Sequence, residues 1–170
     1  MERRFRLAPM SRSIVVLTAV AWGVPVLFAA MAAAGIAAAG MLAVGLAVAA
    51  LYVAVWLWWR PASFAVSGPG LELQFPGRRS LVEARELTGV RRLEAPEFKS
   101  EFGFALRVGV GGLWGGFGWL WTRLGGWVEF YISRTDGFVL VERRDGMPLL
   151  LTPEDPEGFA EALRVQCGLS

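Results

Sequence analysis

Two arginine pairs, Arg78-Arg79 and Arg91-Arg92, are the residues of this chain most suited to recognition chemistry. A guanidinium offers a planar fork of N–H donors that matches phosphate and carboxylate oxygens. These four residues are candidate contacts for anionic headgroups, although solvated surface arginines form the same pattern. A second cluster is acidic: Glu154, Asp155, Glu157 and Glu161. Carboxylates at this density can hold a cation. Their place at a helix start gives them a simpler role, capping free N–H groups and offsetting the helix dipole. There is no histidine, and Cys167 is the only cysteine. That excludes an internal disulfide, Cys/His zinc sites, and serine–histidine or cysteine–histidine nucleophilic centres. No carboxylate pair stands in a catalytic motif. No catalytic residue, metal or cofactor is expected, and the chain reads as a binding protein and not an enzyme.

The segment from Gly109 to Trp127 holds eight glycines and the aromatics Trp114, Phe117, Trp119, Trp121 and Trp127, with Arg123 its only charge. Indole rings favour the headgroup layer of a bilayer, and clustered exposed aromatics mark interaction surfaces. Trp114, Phe117, Trp119, Trp121 and Arg123 are therefore candidates for membrane or partner contact. A third reading makes the aromatics part of the core. The glycines form no phosphate loop, because G-x-x-x-x-G-K-[ST] is absent and no strand–loop–helix context surrounds them.

The elements that must position these groups begin with a membrane anchor. From Ile14 to Trp59 the chain runs 46 residues without a charged side chain. At about 1.5 Å per residue one helix of that length is more than twice too long for a bilayer core, whereas two helices fit. The spans are expected at about 14–34 and 37–59, with Gly35 as the pivot. Pro25 should kink the first. Ala29, Ala33 and Ala37, and likewise Ala39, Ala43 and Ala47, are spaced to let helices approach, either within the hairpin or between copies. Residues 1–13 carry four arginines against one glutamate, and Arg60, Arg78 and Arg79 follow the second span. By the positive-inside rule both ends face the cytoplasm. Tyr52, Trp56, Trp58 and Trp59 mark the interface at that side. A cleaved signal sequence is the rival reading, given the A-x-A patterns near Ala30 to Ala34. The apolar stretch is longer than a signal core of about 7–15 residues.

From residue 60 the period changes to alternation. Strands are expected at 63–68, 71–76, 79–82, 87–93, 103–111, 127–133, 137–143 and 147–152, the last three as a consecutive meander. Asp136-Gly137 and Asp145-Gly146 are hairpin signals. A helix follows from about Pro156 to Val165, capped by Thr152 or Asp155 and carrying Phe159 and Leu163 inward. This order suggests a small antiparallel barrel or bent sandwich closed by a C-terminal helix. Residues 60–170 carry 13 basic against 14 acidic groups, so no basic face for nucleic acid is expected.

Two stretches carry a family resemblance: GGLWGGFGWLWTRLGGWVEFYIS, from Gly111 to Ser133, and LLLTPEDPEGFAEAL, from Leu149 to Leu163. They resemble the bacterial pleckstrin-homology-like (PH-like) domains found on membrane proteins. The resemblance implies a PH-like fold at residues 60–170 and a membrane address, and no particular activity. The expectation is a multi-pass protein of the bacterial inner membrane with the domain and both termini cytoplasmic. It would serve binding or assembly, with the lipid bilayer and a protein partner or second copy as its contacts. The alternative is a module that senses anionic lipid headgroups. Reporters fused at residue 13 and after Ser170 are both expected to read as cytoplasmic. A periplasmic signal from the Ser170 fusion overturns this topology.

Overall fold

The computed structural model describes residues 2–169; Met1 and Ser170, the outer limits of the expected N-terminal segment and domain, lie outside them. The chain opens with a strand, β1 (Arg3–Arg6), where the sequence suggests only a basic tail. Two helices follow, α1 (Arg12–Ala33) and α2 (Ala38–Trp58). Strands β2 (Ser63–Ser67), β3 (Gly70–Gln74), β4 (Arg79–Glu83) and β5 (Leu87–Leu93) come next, then a short helix α3 (Ala95–Phe102). The rest is β6 (Ala105–Gly111), β7 (Gly116–Thr122), β8 (Gly126–Ile132), β9 (Phe138–Arg143), β10 (Leu149–Leu151) and α4 (Pro156–Cys167).

Both long helices are apolar enough to cross a membrane, and few of their residues are buried. At 22 and 21 residues they measure about 33 and 31 Å. Gly35 and Ala37 between them both have positive φ, as a tight reversal requires. Gly45 makes the close approach: a Cβ there would stand 3.1 Å from Phe28 Cβ and 3.4 Å from the Pro25 carbonyl oxygen. Pro25 has no N–H to offer the Ala21 carbonyl one turn back. The Tyr52 hydroxyl of α2 donates to that carbonyl at 3.2 Å, so the neighbouring helix satisfies the group the proline orphans.

The strands form two open sheets, ordered β1-β2-β3-β4 and β5-β9-β10-β8-β7-β6. Among the described residues no ladder joins them, so the barrel closure suggested by the strand count is not formed. β1 pairs antiparallel with β2, placing Phe5 opposite Phe64. The whole helical hairpin is thus an insertion between two neighbouring strands of one sheet. The sheet that starts at residue 60 in sequence terms takes its first strand from ahead of the anchor.

The expected meander is also replaced. β10 lies between β9 and β8, antiparallel to the first and parallel to the second. Asp145-Gly146 sits in the β9–β10 hairpin connection, whereas Asp136-Gly137 lies in a turn between strands that do not pair. The reason is burial on both sides. Leu149 and Leu151 face the core shared with the four-stranded sheet and α4, and Leu150 faces the core under α3. Three consecutive buried leucines suit a central strand better than an edge.

α4 closes the first core. Asp155 caps it, accepting from the Gly158 N–H at 2.9 Å. Phe159 lies between Phe5 and Phe64, with ring centroids 5.3 and 5.7 Å away. Phe159 and Leu163 are fully buried. In the full chain in detergent, Leu163→Ala is expected to cost about 2–5 kcal/mol in denaturant unfolding followed by tryptophan fluorescence. Val165→Ala, on the exposed face of the same helix, should stay within about 0.5 kcal/mol. Equal effects would show that α4 is not docked in this way.

Candidate functional site at the anchor–domain junction

The hairpin β6–β7 brings the domain onto the anchor. Its tip, from Gly112 to Gly115, meets α1 at Thr18. The Thr18 hydroxyl shares its proton between the Gly112 carbonyl and the Ile14 carbonyl of its own helix, both at 2.8 Å, and accepts from the Trp114 N–H at 2.9 Å. Trp114 packs edge-on against Trp22 of α1, centroids 6.2 Å apart. The glycines make this possible. Gly115 has φ +149°, and a Cβ there would lie 2.3 Å from the Ile132 carbonyl oxygen. Gly109 and Gly118, directly paired across the ladder, both have positive φ and leave no room for a Cβ. The glycine–aromatic segment is therefore a strand pair with a docked tip.

Two further attachments complete the junction. Ahead of α1, the buried Ser133 hydroxyl donates to the Ala8 carbonyl at 2.6 Å, and the Ala8 N–H donates to the Thr152 carbonyl at 2.9 Å. After α2, the β3–β4 turn caps the helix end. The Gly77 N–H donates to the Leu57 carbonyl and the Arg78 Nε–H to the Trp58 carbonyl, both at 2.9 Å. These are carbonyls without intrahelical donors, where positive charge is favoured.

Beside this cap lies a cleft of about 660 Å³. Trp58 and Trp59 line it from the end of α2, Arg78 from the turn, and Gly118, Trp119, Glu129 and Tyr131 from β7 and β8. The Tyr131 hydroxyl donates to Glu129 Oε1 at 2.6 Å, and Arg143 donates to Glu129 Oε2 at 2.9 Å. Burial, and next the neighbouring Glu129, push the Tyr131 hydroxyl well above the usual phenol range, so it remains a donor. Arg78 lies over the Phe75 ring, 4.0 Å from its centroid. Among the described residues it has no carboxylate partner.

The cleft continues into an uncovered sheet face. Leu106, Trp121 and Trp127 stand abreast across β6, β7 and β8, and Val108, Trp119 and Glu129 form the next row. Trp119, Trp121 and Trp127 are 40–46% exposed. The same face holds Phe117 and Tyr131 under the four-stranded sheet, which ends before it reaches the tryptophans.

The structure separates the sequence candidates. Phe117 is core, Trp114 is at the anchor contact, Trp119 and Trp121 are on the open face, and Arg123 is exposed in the β7–β8 turn. Arg78 faces the cleft, and Arg79 beside it is exposed, 3.6 Å from Glu72. Arg91 and Arg92 stand on β5, at the other edge of the six-stranded sheet from β6. Arg91 pairs with Glu101 and Glu142, and Arg92 with Glu94 and Glu157. The Glu101 carboxyl is held below its ordinary value by Arg91. The acidic cluster is used locally: Asp155 caps α4, Glu157 meets Arg92 and Glu161 lies 3.7 Å from Arg164. Sequence reasoning missed Thr18, Glu129 and Tyr131. Glu129 carried a signal, a lone acid between Trp127 and Tyr131 on one strand face.

Two open sheets closed by a C-terminal helix define a small β domain mounted on a pair of helices long and apolar enough to cross a membrane. The family model described as "Bacterial PH domain" matches residues 74–167, more than half the chain, and the chain belongs to that family. No curated protein and no solved structure matches it. The match begins at the last residue of β3, so β1, β2 and the anchor lie ahead of it.

Thr18→Val removes both hydrogen bonds to the hairpin tip. Amide exchange at Trp114 should quicken roughly fivefold, for a net loss of about 1 kcal/mol. Unchanged exchange would mean that the tip is held by packing alone.

Proposed function

We propose that this protein is a membrane-anchored PH module that works by binding and assembly at the cytoplasmic face of a bacterial inner membrane, without catalytic chemistry. The observation that carries this reading is the uncovered face of Leu106, Val108, Trp119, Trp121 and Trp127, continuous with the aromatic end of α2. Aromatic residues with little charge are what interface cores are made of. The three attachments to the anchor hold that face at a set position relative to the bilayer. The arginines before α1 and after α2 support the cytoplasmic orientation. On this reading the partner is another protein or a second copy, seated on the tryptophan face.

A second reading is favoured by Arg78, whose guanidinium has no carboxylate partner among the described residues and lines the cleft beside the end of α2. It gives the domain a role in contacting lipid headgroups, with Arg79 beside it. Arg91 and Arg92, neutralised by four carboxylates on another edge, contribute little to that reading.

A photocrosslinking residue at Leu106 in native membranes tests the assembly reading. It should give discrete protein adducts that disappear when Trp121 and Trp127 are changed to serine, while the protein stays in the membrane. High salt should change the yield little, because screening acts on charge and not on apolar contact. Adducts to lipid alone would overturn assembly through this face.

A further inference from the structure

The cleft has a composition more specific than a basic patch. It joins Arg78, a guanidinium without a carboxylate partner among the described residues, to a carboxylate, Glu129, within a wall of Trp58, Trp59, Trp119 and Tyr131. We propose that this cleft holds the headgroup of a phospholipid that carries a primary amine as well as a phosphate. This rests on the headgroup reading above and names its ligand.

Three observations carry it. First, Arg78 spends its Nε–H on the Trp58 carbonyl and leaves its terminal nitrogens without a carboxylate partner among the described residues. A guanidinium so placed matches a phosphodiester. Second, Glu129 accepts one hydrogen bond on each oxygen, from Tyr131 and from Arg143. A carboxylate has about four acceptor sites, so room remains for an N–H donor. Arg143 offsets the charge of Glu129, so what an ammonium gains over a headgroup bearing only negative charge is a charge-assisted hydrogen bond to Glu129 and the faces of the surrounding indoles. Third, the cleft opens beside the last residues of α2, where an apolar span gives way to Trp58 and Trp59. A lipid whose head enters here can leave its acyl chains along the helix. Gly118 contributes backbone to the cleft wall between Phe117 and Trp119.

The test uses the full chain in mild detergent, offered equimolar phosphatidylethanolamine, phosphatidylcholine and phosphatidylglycerol, with the retained lipid measured by mass spectrometry. Phosphatidylethanolamine should be enriched about fivefold over phosphatidylglycerol, the scale of one cation–π contact. Arg78→Gln should lower retention of all three about tenfold, because all share the phosphate. Glu129→Gln should reduce the amine preference and keep the total. Trp119→Leu, at an exposed position that leaves the Glu129 hydrogen bonds in place, should weaken the amine preference even if Glu129→Gln disturbs folding. Equal retention of the three lipids by the unmodified chain, or a preference untouched by both Glu129→Gln and Trp119→Leu, overturns the amine assignment and leaves the headgroup reading standing. Retention that ignores Arg78→Gln overturns both. Soluble phosphoethanolamine binding as tightly as the lipid would also overturn the proposal, because the ligand would then be free in solution.

Discussion

The pairing of β1 with β2 is the constraint on which the rest depends. These strands lie side by side, yet the whole anchor runs between them in sequence. A domain tethered at one end can rotate on its linker. A domain whose own sheet is interrupted by the anchor cannot, because both chain crossings are fixed by one ladder. Phe159 of α4 fits between Phe5 and Phe64, one aromatic from each side of the insertion, and couples the ladder to the core. Burial of apolar area at this point holds together segments that are far apart in sequence.

From that constraint follows the placement of the junction. The crossings put the start of α1 and the end of α2 beside the domain, and each is then satisfied by polar groups. Ser133 and Thr152 take the backbone of the lead into α1, the β3–β4 turn takes the last carbonyls of α2, and Thr18 takes the hairpin tip. Groups of this kind are costly to bury unpaired and act over short distances, so they define position more than total stability. The cleft lined by Arg78, Glu129 and the tryptophans lies where these attachments bring the end of α2 beside β7 and β8.

The tryptophan-rich segment shows how one composition serves several ends. Strand alternation sends Phe117, Trp119 and Trp121 to one face, but the four-stranded sheet covers only part of it. Phe117 becomes core while the tryptophans two and four residues on remain open. Pro25 shows a similar dependence on neighbours. The missing donor is readable from the proline, but the partner for the Ala21 carbonyl comes from Tyr52, on the other helix.

Elements whose cause is local could be read from the chain alone. Uncharged length produced the two long apolar helices, alternation produced most strands, and the Asp155 cap with the spacing of Phe159 and Leu163 produced α4. α3 was missed because its cap is Glu94, in a capping box with Glu97, and the usual Ser or Thr start signal is absent. Tertiary structure decided what depends on partners distant in the chain. It recruited β1, which is too short and arginine-rich to announce itself as a strand. It set β10 in the sheet centre, because Leu149 to Leu151 needed cover on both faces. It also split the four arginines, leaving Arg78 beside the anchor and pairing Arg91 and Arg92 with carboxylates elsewhere. Charge and hydropathy are properties of residues, whereas a cleft and an uncovered face are properties of where sheets end, which no local pattern records.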